Sequence, residues 1–247
     1  MQLGRYCLMA GLLAVPVCGQ APSALALAAR AVAALHAGPA AGFEARGTAE
    51  IASPRGRAAA ALVAVEAWGA SRCRITIDLL PAGRGHFEAV ANGKAVHWEG
   101  PQLVAALPMP MGEDLGCALL PQGLLWAESS NAELLPSAGG GLLLYRARPG
   151  QTKPLRPLAL DLDAESGFPR TASWNWRGHP VALTFAEYKT AGGLTFAASV
   201  TESADAGRLA IHFDSVAARS GFTDADFAVP TPPHPVPLRR PGIGGGQ

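Results

Sequence analysis

The sequence predicts a mainly β (α+β) protein built on one wide, curved antiparallel sheet. Three observations carry the prediction. From Leu158 to Pro230, apolar and polar residues alternate through five short segments separated by close, Gly- or Pro-bearing corners. From Phe43 to Trp98 the same two-residue period recurs, and it includes Asn92-Gly93 between two alternating runs. Between Leu103 and Ser137 the period stops and helix-type spacing takes over. Alternation sends successive side chains to opposite faces of a strand. Corners this close join antiparallel neighbours, because a parallel crossover needs about a dozen residues. An ordinary β-sandwich is the competing architecture.

The chain opens with what reads as a secretory signal peptide, residues 1–19. Arg5 supplies the positive n-region, Leu8 to Val17 the apolar h-region, and Val17-Cys18-Gly19 a small-residue cleavage site. That apolar run is too short for a comfortable membrane span. Cys18 could be acylated in a lipid-anchored form, but Val15-Pro16-Val17 lack the small residue wanted just upstream, so cleavage and release is the expectation. The protein is therefore expected in the periplasm or cell envelope. Pro22-Ser23 can start a helix with Ser23 as N-cap, and Gly38-Pro39 can end it. Leu25, Ala28, Val32 and Leu35 would form its apolar face, with His36 suited to the helix dipole in the last turn.

Phe43 to Ile51 is a first strand and Arg57 to Trp68 a second. The second is apolar on both faces over Ala60–Val65, as in a strand covered on both sides. Cys73, Ile75, Ile77 and Leu79 alternate with Arg74, Thr76 and Asp78 in a third. Phe87–Ala91 and Lys94–Trp98 flank Asn92-Gly93, a strong hairpin signal. In the 103–137 region, Met109 and Met111 lie in a Pro-rich lead-in. Glu113-Asp114 and the apolar residues Leu115, Ala118, Leu119, Leu124, Leu125 and Trp126 then predict two short helical pieces with a hinge at Pro121–Gly123. Leu142–Arg148 resumes the sheet, and Pro149–Pro157 is a connection.

The five strands that follow are read from parity. Leu158, Leu160 and Leu162 oppose Asp161 and Asp163; Trp174 and Trp176 oppose Ser173 and Asn175; Val181, Leu183 and Phe185 share a face. So do Leu194, Phe196, Ala198 and Val200, and so do Leu209, Ile211 and Phe213. Beyond Pro230, residues 231–247 are rich in Pro and Gly and predict a disordered tail. One domain, residues 20–230, is left between leader and tail. At 49% hydrophobic in 247 residues the chain can bury one sizeable core.

The segment from Leu160 to Pro230 resembles the C-terminal half of the LolA/LolB lipoprotein-carrier superfamily, including its MucB/RseB-like relatives. The likeness lies in Leu160-Asp161-Leu162-Asp163 followed by the Gly167-Phe168-Pro169 turn, in Phe185-Ala186-Glu187-Tyr188, and in the closing Phe222-Thr223-Asp224-Ala225-Asp226-Phe227. It covers structural positions, about a third of the chain, and is architectural elsewhere. It implies a half-barrel covered by the N-terminal helix and by a short helical lid, the 103–137 insertion, which plugs the mouth and moves aside for a ligand. A helix pair that never opens is the alternative.

The sequence carries little reactive chemistry. Cys7 and Cys18 fall in the leader, leaving Cys73 and Cys117, where an exported domain permits a disulfide. A bond between them is expected, tying the lid region to a strand, with two separate buried thiols as the alternative. His86, His97, His179 and His212 are scattered, without zinc or His-Glu-x-x-His spacing, although His86 and His97 could face each other across the hairpin. Gly139-Gly140-Gly141 is a turn, Ser129-Ser130 and Ser220-Gly221 sit in no nucleophile elbow, and Asp161 and Asp163 share a solvent face. No metal, cofactor or enzymatic activity is expected. A net charge of +1 with no basic cluster beyond Arg239-Arg240 argues against nucleic acid. Charged residues make up 16%, which suits a protein that covers apolar material, although an Ala-rich composition explains it equally.

The expectation is a binding module whose apolar cavity holds a lipid or lipoprotein acyl chain. Candidate lining residues are Leu62, Ala64, Ile75, Ile77, Trp98, Met109, Met111, Trp126, Trp174, Trp176, Phe185 and Phe196, with plain core packing as the alternative for each. An envelope sensor or scaffold with a protein partner is the second expectation, and a hydrolase the third. A peripheral membrane contact is compatible with the first two.

Overall fold

The computed structural model describes residues 24–35, 42–69, 72–93, 95–108, 111–112, 116–122, 132–135, 140–145, 158–163, 165–176 and 178–230. The expected signal peptide, the tail, Met109, Glu113-Asp114 and Trp126 lie outside these residues.

A helix α1 (Ala24–Ala34) precedes five strands, β1 (Gly42–Ala52), β2 (Ala58–Trp68), β3 (Arg72–Leu79), β4 (His86–Asn92) and β5 (Ala95–Glu99). A connecting region follows with a short helix α2 (Gln102–Ala105) and two small strands, β6 (Met111–Gly112) and β7 (Gly116–Cys117). The sheet resumes in β8 (Ala132–Leu135), β9 (Gly140–Tyr145), β10 (Leu158–Asp163), β11 (Pro169–Trp176), β12 (His179–Ala191), β13 (Leu194–Ala204) and β14 (Gly207–Arg219). A 3-10 turn, Asp224–Phe227, closes the described chain.

Twelve of these strands form one open antiparallel sheet in the order β5-β4-β3-β2-β1-β14-β13-β12-β11-β10-β9-β8. Two meanders are joined where the first strand pairs with the last, Ala45 opposite Val216 and Ile51 opposite Leu209. A consequence follows from topology alone. β5 and β8 are the two outer edges of the sheet, so the chain between them runs from one edge to the other. The sheet is curled and unclosed, a half-barrel, and the described residues of that segment, 101–108, 111–112 and 116–122, form its cover.

Alternation explains the two faces. Val63, Val65, Ile75, Ile77, Phe87, Ile211 and Phe213 point to one side, each at most 3% exposed. Across the inner face Val65 lies opposite Ile75, and Val63 opposite Ile77. Gly47 is required where β1 shifts register against β14: a methyl there would overlap the carbonyl of His212. On the outer face Phe222 and Phe227 pack with Val90 and against Trp68. Arg219 reaches Glu66 at 2.6 Å and Glu44 at 3.4 Å there. The Gly-Phe-Pro corner forms as expected. Asp163 accepts hydrogen bonds from the Ser166 and Glu165 amides, Gly167 takes φ 78°, and Phe168 stacks on Tyr188, whose hydroxyl donates to the Pro169 carbonyl.

Four expectations need correction. β2 is not covered on both sides: Leu62 is 50% exposed and Ala58 and Ala60 face solvent, because among the described residues no second layer packs over these positions. Residues 116–120 form β7 and a turn in place of a helix. Gly116 and Pro121 interrupt the helical spacing, and Cys117 pairs with Met111. β8 lies inside the stretch read as strandless, drawn in by pairing with β9. Finally, the buried stripe of α1 is Leu27, Ala31 and Leu35, an i, i+4, i+8 row. Of the expected face, Leu35 is buried, Val32 is half-buried, and the Leu25 and Ala28 side chains lie outside the described residues.

Candidate functional site: the covered interior of the half-barrel

The cover is apolar where it meets the sheet. Val104, Leu107, Met111, Ala118, Leu119 and Leu120 are each at most 5% exposed and belong to one core with the inner sheet face. Cys117 in the cover and Cys73 in β3 form a disulfide with Cα atoms 5.3 Å apart, as expected. Because Cys73 lies on the inward parity of Ile75 and Ile77, the bond pins the cover to the floor of the interior. Gln122 adds a polar clasp, its side-chain amide donating to the Thr195 carbonyl of β13 at 2.7 Å.

The structure brings together eight of the described candidates. Ile75, Ile77, Trp174, Phe185 and Phe196 are buried in the inner cluster with Met111 of the cover, and Trp98 and Trp176 pack against it half-buried. Trp176 on β11 approaches Trp98 on β5 edge-on. Leu62 and Ala64 stand on the other face, out of phase with buried Val63 and Val65. Met109 and Trp126 lie outside the described residues. Among the described residues, these side chains and those of the cover form one buried apolar cluster. A shallow open trough of about 570 Å³ lies elsewhere, over the small residues Ala159, Ser173, Ala182 and Ser203 that pair across β10–β13.

One interior residue was missed by the sequence reading. Glu202 continues the inward parity of Phe196, Ala198 and Val200 and is 1% exposed. Its cross-strand neighbours are Leu183 and Leu209. Neither carboxylate oxygen has a hydrogen-bond partner, and burial pushes its pKa up to about 8. The indole nitrogen of Trp174, on the same face two strands away, is also buried without a partner.

The histidines form separate surface pairs. His86 meets Asp78 at 2.7 Å and His179 meets Asp205 at 2.9 Å. His97 faces Val90 across the β4–β5 hairpin, so the expected approach of His86 and His97 does not occur. Among the described residues no three His, Cys, Asp or Glu side chains gather as a metal site. No described helix is long and apolar enough to cross a membrane.

No family model matches the sequence, and no curated protein matches it significantly. Solved structures do. A domain from Vibrio parahaemolyticus described as an outer membrane lipoprotein-sorting protein superposes over 82% of this chain and 95% of its own, with a TM-score of 0.51 at 12% identity. A LolA superfamily protein from Nitrosomonas europaea covers 84% of this chain and 98% of its own, at TM-score 0.49 and 10% identity. A DUF1329 family protein from Desulfovibrio piger gives the same coverage, score and identity. The chain has a LolA/LolB-like fold.

Proposed function

We propose that this protein is an exported binding protein of the cell envelope, a carrier or chaperone that holds an amphiphile between the curled sheet and its tethered cover. The observation that carries the reading is the composition of the interior. The cover contributes Leu107, Met111, Leu119 and Leu120 to the same apolar cluster as Ile75 and Ile77. An acyl chain is the chemical equivalent of those side chains. Its entry displaces the cover and exchanges one apolar contact for another. The connection between β5 and β8 stays anchored at Cys117 while the rest swings.

The energetics suit a protein that must also release. Burying about ten methylenes yields roughly 8 kcal/mol gross. Ordering the ligand and expelling the cover subtract from that, which leaves an affinity suited to exchange. Several described titratable groups on the outer face are engaged in ion pairs, such as Arg219–Glu66.

The test is native mass spectrometry of protein purified from its own cell envelope, with extraction of whatever is bound. An amphiphile that is lost on delipidation, with a gain in apolar-dye binding, supports the carrier. A clean apo mass with no dye binding transfers the reading to an envelope sensor or scaffold. Among the described residues β5 is an edge strand of the sheet, which favours that second reading, since such an edge accepts an added strand.

A further inference from the structure

We propose that Glu202 is the polar anchor of the interior, and that it selects amphiphiles carrying an amine next to the alkyl chain. The inference rests on the binding reading above and names the ligand class within it.

Glu202 projects from the middle of an apolar face, between Leu183 and Leu209 across the sheet and between Val200 and Ala204 along β13. No cation or donor offsets it: both oxygens are buried without a partner, and desolvation alone accounts for its raised pKa. An orphaned buried carboxyl is destabilising, and a leucine would fit the surroundings better. The unsatisfied acid, set among apolar side chains, is complementary to a small hydrogen-donating cationic head on an apolar chain.

At neutral pH the covered protein keeps Glu202 as the uncharged acid. An alkylammonium head brings a cation into a low-dielectric site, where a charge-assisted contact is about twice as strong as a neutral one. The acid then ionises. The ammonium and carboxylate pair, and one proton passes to solvent, so charge balances across the step. A carboxylate ligand would have to share the single proton of Glu202 and bury a negative charge with no cation beside it, and a neutral alcohol would gain a single ordinary hydrogen bond.

Dodecylamine, dodecanol and dodecanoate, each below its micelle concentration, distinguish these cases by isothermal titration calorimetry at pH 7 in two buffers of different ionisation enthalpy. Wild-type protein should bind dodecylamine about tenfold or more tighter than dodecanol, with close to one proton released per ligand. Glu202→Gln and Glu202→Leu should lose both the preference for dodecylamine over dodecanol and the proton release. Two variants guard against a folding artefact, since Glu202→Leu is expected to be more stable than wild type. Dodecanol binding without an amine preference, or a preference that survives in both variants, overturns the anchor and leaves the binding reading standing. Failure of all three ligands to bind overturns both.

Discussion

The indole rings of Trp98 and Trp176 meet edge-on, centroids 6.4 Å apart and planes at 60°, although seven strands separate β5 from β11 in the sheet. A flat sheet of that width would hold the two strands about 38 Å apart, at roughly 4.8 Å per strand step. Contact between them measures the curl directly. It also means that the rim of the interior is closed by two aromatic side chains. Changing either to alanine should destabilise the fold, and a double-mutant cycle in urea unfolding should return a coupling of about 0.5–1.5 kcal/mol.

The two apolar faces of β2 and β3 should respond oppositely to mutation. Ile77 is fully buried on the inner face, so Ile77→Ala should cost about 2–5 kcal/mol. Leu62 is 50% exposed on the outer face, so Leu62→Thr should stay within about 0.5 kcal/mol. Chemical denaturation of both variants checks the assignment of faces.

Stability should have a maximum in mildly acidic solution. Glu202 titrates near 8 when folded against an ordinary 4.5, so the folded chain holds a proton the unfolded chain has released. Stability therefore falls as pH rises from 4.5 to 8 and is flat above. The fall is about 5 kcal/mol at most. Asp163 and Asp226 act in the other direction. Hydrogen bonds from the Ser166 and Thr223 amides and hydroxyls hold them below the usual carboxylate range, so their contribution is lost in stronger acid. Thermal unfolding across this range should show both limbs, and Glu202→Leu should abolish the alkaline one.

Reduction should loosen the cover before it unfolds the sheet. The Cys73–Cys117 bond closes a loop of 44 residues, for which chain entropy gives about 4 kcal/mol of stabilisation. Hydrogen exchange with and without reductant should show protection lost first over residues 102–122, with β1 and β14 retained.

Much of this architecture was legible in the sequence because strand parity is a strict rule. The segments from Leu158 to Arg219 read as five strands and are five strands, and Trp174, Phe185 and Phe196 fall on the inner face together. Parity fails where side chains do not differ across the strand. In β2, Leu62 and Ala64 are as apolar as Val63 and Val65, so only the position of the cover decides which pair is inside. The cover itself was read as helical because its apolar spacing fits a helix. Gly116 and the pairing of Met111 with Cys117 outweigh that preference. Glu202 was within reach of the same parity rule, two residues past Val200, but a charged residue there ends an apolar pattern and so hides its own burial.

The central claim is that an alkyl chain enters the space between cover and sheet, and single-tryptophan variants test it most directly. The chain has five tryptophans, of which Trp98 and Trp176 border the interior and Trp68 packs on the outer face against Phe227. Titration with a brominated acyl chain should quench the Trp98-only and Trp176-only proteins saturably and leave the Trp68-only protein bright. Quenching of Trp68 alone, or no saturable quenching at Trp98 and Trp176, would contradict the account.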